Sequence, residues 1–323
     1  MKDFLARHWF LLLLTAGLAL ALGRPSWVEP YTHPLPPLLV VALALFLTAW
    51  GLDGRRLYEA VARPLPALGA VALSYGLLPA LGLLAGRLLP DPEYRVGLLI
   101  ITSVPCTLAS AVIWTRLAGG SEATALLAVL LTTGTSWLVT TAWLKAGTGT
   151  AVRLDTAALM SGLFLALVVP VGLAQLARAV RPLARLADRG RPARGVGARL
   201  LTLAIILKAV VDAGTRLGER AAPLGVEFAA AAGLCVAAHL TTLAAGLWGG
   251  RALGFDPPAR IAVAFAGSQK TLPVALYLFD TYFREAPLAI LPIVSYHVGQ
   301  LVADTIVADR LARRGPAAVP PAS

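Results

Sequence analysis

The sequence predicts an all-α polytopic membrane protein of ten transmembrane helices, arranged as two inverted five-helix repeats, with helices 4 and 9 broken near their centres. Three observations lead there. Of 323 residues, 58% are hydrophobic and only 14% charged, with mean hydropathy +0.75. A soluble domain carries about 25% charged residues, so the surplus apolar surface must face lipid. Apolar runs of about 20 residues, the length that crosses a hydrocarbon core of ~30 Å, recur ten times along the chain. The second half then repeats the pattern of the first at a spacing of 164 residues.

In order, the runs cover residues 5–23, 35–52, 65–88, 94–117, 122–144, 154–177, 199–216, 226–249, 259–283 and 286–308. Short turns rich in Pro, Gly and Arg separate them, among them Arg24-Pro25-Ser26, Pro90-Asp91-Pro92 and Phe255-Asp256-Pro257-Pro258. None could hold a soluble domain, so residues 1–310 form one membrane unit and 311–323 a tail. The N-terminal basic-then-apolar stretch resembles a signal peptide, but further apolar helices follow instead of a secreted domain. Cys106 and Cys235 fall inside apolar runs and imply no disulfide framework. No metal-ligand spacing occurs, and no cofactor is expected.

A net charge of +11 would point to nucleic acid in a soluble protein. Here it reads as basic loops that set topology, and lipid and a small solute are the expected partners. With the N-terminus placed inside, the inside segments hold 18 Lys and Arg and the outside segments 8; Lys208 and Lys270, within helices, complete the 28. This bias predicts ten spans with both termini cytoplasmic, in the inner (plasma) membrane. The Arg178–Arg199 stretch supplies most of it and is read as a topogenic loop.

Two runs are interrupted by small polar residues and a proline: Thr102-Ser103-Val104-Pro105-Cys106-Thr107-Leu108-Ala109-Ser110 in the fourth, and Ala266-Gly267-Ser268-Gln269-Lys270-Thr271-Leu272-Pro273 in the ninth. Thr107-Leu108 and Thr271-Leu272 lie 164 residues apart. The same shift carries the second run onto the seventh, the third close to the eighth and the fifth onto the tenth. Repeat 1 then spans about 5–144 and repeat 2 about 154–308. Five helices is an odd number, so the second repeat is inverted. Paired broken helices place unwound backbone near the bilayer midplane, where it persists only if buried in protein or lining a cavity. The alternative is a pair of proline kinks that merely bend two packed helices.

The stretches Pro105 to Gly120 (PCTLASAVIWTRLAGG) and Phe265 to Leu276 (FAGSQKTLPVAL) resemble the bile acid:sodium symporter family, in its SBF-like branch. The resemblance implies a panel domain of helices 1, 2, 6 and 7 beside a core domain of helices 3–5 and 8–10. It also implies crossing of helices 4 and 9, and alternating-access transport of organic anions, with sodium as the family's coupling ion. Sodium-using members place an acidic residue before the helix-9 break and an amide after the helix-4 break. The corresponding positions here are near Phe265 and at Ala111. No Asp or Glu occurs between Thr102 and Gly119 or between Ala262 and Phe279, and a lysine stands at the second break. The residues therefore point to proton coupling or to no cation coupling.

The candidate substrate or ion-binding residues are Pro105, Thr107, Ser110, Ser268, Gln269, Lys270 and Thr271 at the breaks, with Thr132 and Gln300 as further candidates. A charge at the bilayer centre costs about 2.5–3.5 kcal/mol on insertion scales. Lys270 is thus read as a built-in cation replacing or altering the sodium site, or as a proton carrier; the bland alternative is a clasp for carbonyls freed by the break. Lys208 and Asp212 share a helix face and read as an intrahelical pair or as panel residues facing substrate. His239, Thr241 and Thr242 in the eighth run, and His297 and Asp304 in the tenth, are weaker candidates. Thr132, Thr133, Thr135 and Ser136 line the core or glue helices together. No HExxH motif or paired aspartates suggest an intramembrane enzyme. The reading is a secondary transporter of an organic anion or similar small solute; the alternative is a non-transporting scaffold or regulator of the same fold.

Overall fold

The computed structural model describes residues 13–52 except 15, 18 and 22, and then 57–149, 154–217 and 225–313. The start of the first run and the tail beyond residue 313 lie outside the described residues. So do Lys2, Arg7, Arg55, Arg56, Arg153, Arg220 and Arg314 of the charge count. Among the described residues the secondary structure is helical throughout, with no strand.

The described residues between 13 and 23 are helical (α1). There follow α2 (Pro25–Thr32), α3 (Pro37–Ala49), α4 (Leu57–Ala62), α5 (Leu65–Gly86) and α6 (Pro92–Ser103). Then come α7 (Ser110–Leu117), α8 (Glu122–Thr148), α9 (Thr156–Ala179), α10 (Arg181–Arg189) and α11 (Arg191–Leu217). The chain closes with α12 (Val226–Ala252), α13 (Pro257–Ser268), α14 (Leu272–Tyr282) and, after one 3-10 turn, α15 (Ile290–Ala312). By length and apolarity six helical segments can cross a membrane: Leu65–Gly86, Glu122–Thr148, Thr156–Ala179, Val226–Ala252, Pro257–Tyr282 and Pro287–Ala312. The bent pair α2–α3 makes a seventh. The protein is a multi-pass membrane protein.

Helix starts follow local chemistry. The Asp91 carboxylate accepts from Glu93 N at 2.7 Å, and that of Asp256 from Ala259 N at 2.8 Å. Each precedes a proline at the first helical position, where a missing N–H costs nothing. Both half-helices α6 and α13 thus begin with the same Asp-Pro signal. Ser121 and Asp155 cap α8 and α9 in the same way.

Two boundaries differ from the expectations. Arg24-Pro25-Ser26 is not the first connection: Pro25 opens α2, and the chain turns 76° between α2 and α3, at 33–36. Proline's fixed φ makes it a helix starter as well as a breaker, and apolarity alone does not separate the two. The Arg178–Arg199 stretch is not a loop. It holds α10, and α11 starts at Arg191 instead of 199. Its Arg, Ala and Leu are strong helix formers; charge keeps them out of lipid, not out of a helix. These arginines also bond protein. Arg178 Nη1 donates to Trp50 O at 2.9 Å, Arg194 Nη1 to Leu47 O at 3.1 Å, and Gln175 Nε2 to Ala49 O at 2.8 Å. The two arginines satisfy the Trp50 and Leu47 carbonyls at the end of α3, and Gln175 adds a second donor to Ala49 O, which also accepts from Leu52 N.

The segment α13–α14 is almost entirely enclosed, whereas α5, α9, α12 and α15 have less than half of their apolar stretch buried. Around it pack α5, α8, α12 and α15. Gly246 lets α12 touch α13: a methyl there would collide with the Ala264 backbone. On the other side α3 packs on α9 and α11, and α11 and α3 both meet α14.

Candidate ion and substrate site at the helix crossing

Helical hydrogen bonding lapses between Ser103 and Ser110 and again between Ser268 and Leu272. Val104 and Gln269 cap the two first halves with extended backbones. The two lapses meet. Thr271 N donates to Pro105 O at 3.2 Å, and the Ser110 hydroxyl donates to Gln269 Oε1 at 2.8 Å. Pro105, Ser110, Gln269 and Thr271 therefore lie at one place. Ser268 bonds its hydroxyl back to Ala264 O, and its carbonyl accepts from Tyr296 Oη at 2.7 Å.

Lys270 is fully buried. Its Nζ donates to Ser74 O at 2.7 Å, Ser74 Oγ at 3.0 Å and Val104 O at 2.7 Å, and lies 5.3 Å from the Tyr75 ring centre. An ammonium has three protons, and these three neutral oxygens match that number. No carboxylate pairs with it among the described residues. The cradle has a local cause. Residues Leu73–Leu77 wind as a π-bulge, in which Leu78 N bonds Leu73 O. The next donor in that register would be Pro79, which has no N–H, so the Ser74 carbonyl is left for Lys270. Tyr75 O takes Trp143 Nε1 at 2.7 Å, and Tyr75 Oη donates to Thr132 O at 2.6 Å.

Gln300 repairs the second break. Its Oε1 accepts from Lys270 N at 2.9 Å and its Nε2 donates to Lys270 O at 3.0 Å, so one amide satisfies both backbone groups. His297 Nδ1 lies 3.0 Å from the same Nε2. Asp304, on α15 and fully buried, accepts from Gln269 Nε2 at 2.6 Å and faces His239 Nε2 at 2.9 Å. Phe265 and Ala111 are buried apolar residues and offer no ligand; the acid of this site comes from α15. Thr132 reaches the cradle only through its carbonyl, its hydroxyl being bonded to Val129 O. The Ser103, Thr107 and Thr133 hydroxyls are buried without a partner among the described residues. Buried polar atoms are nearly always satisfied, so these are open valences, those of Ser103 and Thr107 at the first break and that of Thr133 on α8.

A second polar cluster lies between α11 and α14. Lys208 Nζ pairs with Asp212 at 3.3 Å and reaches His33 O at 3.5 Å. Asp280, also buried, pairs with Arg284 at 3.0 Å and lies against Asp212. His33, Lys208, Asp212, Thr215 and Arg284 line a cavity of about 440 Å³. Sequence reasoning named Lys208 and Asp212 but not Asp280, Arg284, Ser74 or Tyr75. The signal for the last two was Pro79 inside an otherwise regular apolar run.

A membrane protein built on buried, crossed helix breaks has the construction of a secondary transporter. The chain matches the SBF-like CPA transporter family over residues 8–313, and it belongs to that family. Membership in a transporter family places it outside the enzymes. It is 28% identical over 242 residues to the probable sodium/metabolite cotransporter BASS4, chloroplastic, of Arabidopsis thaliana, covering 69% of this chain and 53% of that one. It is 32% identical over 262 residues to the uncharacterized protein PA2026 of Pseudomonas aeruginosa, covering 75% and 74%. The chain spans about half the length of the plant relative.

Proposed function

We propose that the protein is a secondary transporter of an organic anion or similar small solute, in which the Lys270 ammonium occupies the place of a coupling cation. One observation carries this reading: three buried oxygens, from α5 and from the α6 break, converge at 2.7–3.0 Å on the Lys270 Nζ at the helix crossing. Oxygens so gathered are what a bound monovalent cation would require. Here a covalently attached cation satisfies them, and its charge attracts an anion. The open hydroxyls of Ser103, Thr107 and Thr133 supply further polar contacts for an ion or solute.

In this reading the chain has ten spans in two inverted repeats, with both termini cytoplasmic in the plasma membrane. α1 with α2, α3, α9 and α11 form the panel; α5 to α8 and α12 to α15 form the core. The α11–α14 cavity is then the outer mouth of the panel–core seam, where solute enters. The names of the plant relatives favour sodium coupling; Lys270 favours a chain that moves solute without it. The test is flux into proteoliposomes for a series of organic anions, with sodium, potassium or choline as the only cation. Flux that persists in choline supports the reading. Absence of flux under every gradient supports a scaffold or regulator instead.

A further inference from the structure

We propose that His239 and Asp304 form a proton-binding site beside the helix crossing, and that its proton is the coupling ion; this rests on the transport reading above. The Ser268 carbonyl can only accept. His239 Nδ1 lies 3.2 Å from it, so Nδ1 carries a hydrogen. A neutral imidazole has one N–H, which leaves a bare lone pair on Nε2. That lone pair faces Asp304 Oδ1 at 2.9 Å, and a carboxylate is also acceptor-only. Two acceptors hold that distance only with a hydrogen between them. One further proton therefore sits on the Nε2–Oδ1 line, as imidazolium with carboxylate or as imidazole with carboxylic acid. The proton count is the same either way.

The proton is wired to the crossing. Asp304 Oδ2 holds Gln269 Nε2 at 2.6 Å, and Gln269 Oε1 holds Ser110, the first residue of α7. Loss of the proton leaves a lone pair against a carboxylate. To relieve this the imidazole must present its single N–H to Asp304 and abandon Ser268 O, the last carbonyl of α13. Proton occupancy thus alters the bonding at the end of α13, where the half-helices meet.

The other ionisable groups nearby are Cys106 at the first break, Cys235 on α12, Tyr296 and His297 on α15, Tyr75 on α5 and Lys270. Arg116 of α7 is exposed and faces Glu122. Arg260 of α13 lies beside Gly250 on α12, and Glu93 of α6 caps Leu288 N. With the proton bound, the pair is neutral and Lys270 leaves one net positive charge in the crossing. Without it, the Asp304 charge cancels Lys270. Anion and proton therefore bind together and leave together: the coupling is symport.

The site is tested on purified full-length protein in detergent with ¹⁵N-labelled histidine, the His239 signal being assigned from His239→Gln. The expected wild-type signal has Nδ1 protonated and a strongly hydrogen-bonded proton shared at Nε2. In Asp304→Asn the amide donates to Nε2, so the extra proton is lost while Nδ1–H remains. A wild-type ring with hydrogen on Nε2 alone overturns the proposal. Coupling is read separately, with a pH dye inside proteoliposomes and dicarboxylates or organic sulfonates added outside one at a time. Solute-driven acidification in wild type that Asp304→Asn abolishes supports coupling through this site; acidification that survives in Asp304→Asn overturns it. If the shared proton is found but no solute moves in wild type, the site stands and the transport reading falls, taking the coupling role with it.

Discussion

Replacing Lys270 by alanine tests whether its ammonium substitutes for a metal cation. The substitution leaves Ser74 O, Ser74 Oγ and Val104 O around an empty space. Each buried acceptor left without a donor costs about 1–3 kcal/mol. The Ser74 hydroxyl can reorient, so two carbonyls carry the loss, about 2–6 kcal/mol in gross terms. Relief from burying a desolvated ammonium offsets part of this, and a net loss of about 2–4 kcal/mol is expected. The vacated space is now a neutral oxygen cage. A sodium ion fits its chemistry, and a ligand that binds only the folded state stabilises it by RT ln(1 + [L]/Kd), about 2.7 kcal/mol at a hundredfold excess over Kd. Thermal unfolding in detergent, with sodium exchanged for choline at constant ionic strength, provides the assay. Wild type should unfold at the same temperature in both salts. Lys270→Ala should unfold earlier in choline and recover part of the loss in sodium. A wild type that is stabilised by sodium, or a Lys270→Ala protein as stable as wild type in choline, would refute the reasoning.

Three further outcomes are expected. Gln300→Leu strips both backbone groups of Lys270 of their partners and should cost about 2–4 kcal/mol, whereas Gln300→Asn, too short to reach both, should fall between; thermal melts rank the three. Arg194→Ala removes bonds to Leu47 O and Ala187 O and the guanidinium 5.9 Å from the Trp50 ring centre, so it should lower stability by about 1–3 kcal/mol and shift Trp50 fluorescence. A cysteine at Gly190, at the end of α10, should react with an impermeant maleimide only when the cytoplasmic face is accessible; reaction from outside would overturn the proposed topology.

Much of the candidate site was legible in the residues because it is local. Small polar residues beside a proline break a helix wherever they fall, and a lysine within an apolar run has few bland explanations. What surrounds these residues was not legible. Asp304 lies 34 positions from Lys270, and nothing in the period of its helix marks it as the acid that meets Gln269. Asp280 lies one residue past the acid-free stretch that ends at Phe279, and it pairs at the far end of α14. The π-bulge that frees Ser74 O depends on Pro79 and on what packs against it, and hydropathy is blind to both.

By itself the sequence determined that the chain is helical and lives in lipid, because those follow from composition and from apolar runs of spanning length. It also determined where two helices must fail, because proline and small polar residues act on their own backbone. Tertiary structure alone decided which distant groups answer the exposed valences there: Ser74 and Val104 for the Lys270 ammonium, Gln300 for its backbone, and His239 with Asp304 for the end of α13 and for Gln269. The physical reason is that a buried polar atom must find a partner, but many residues along the chain could be that partner. Only the packing of one helix against another selects among them.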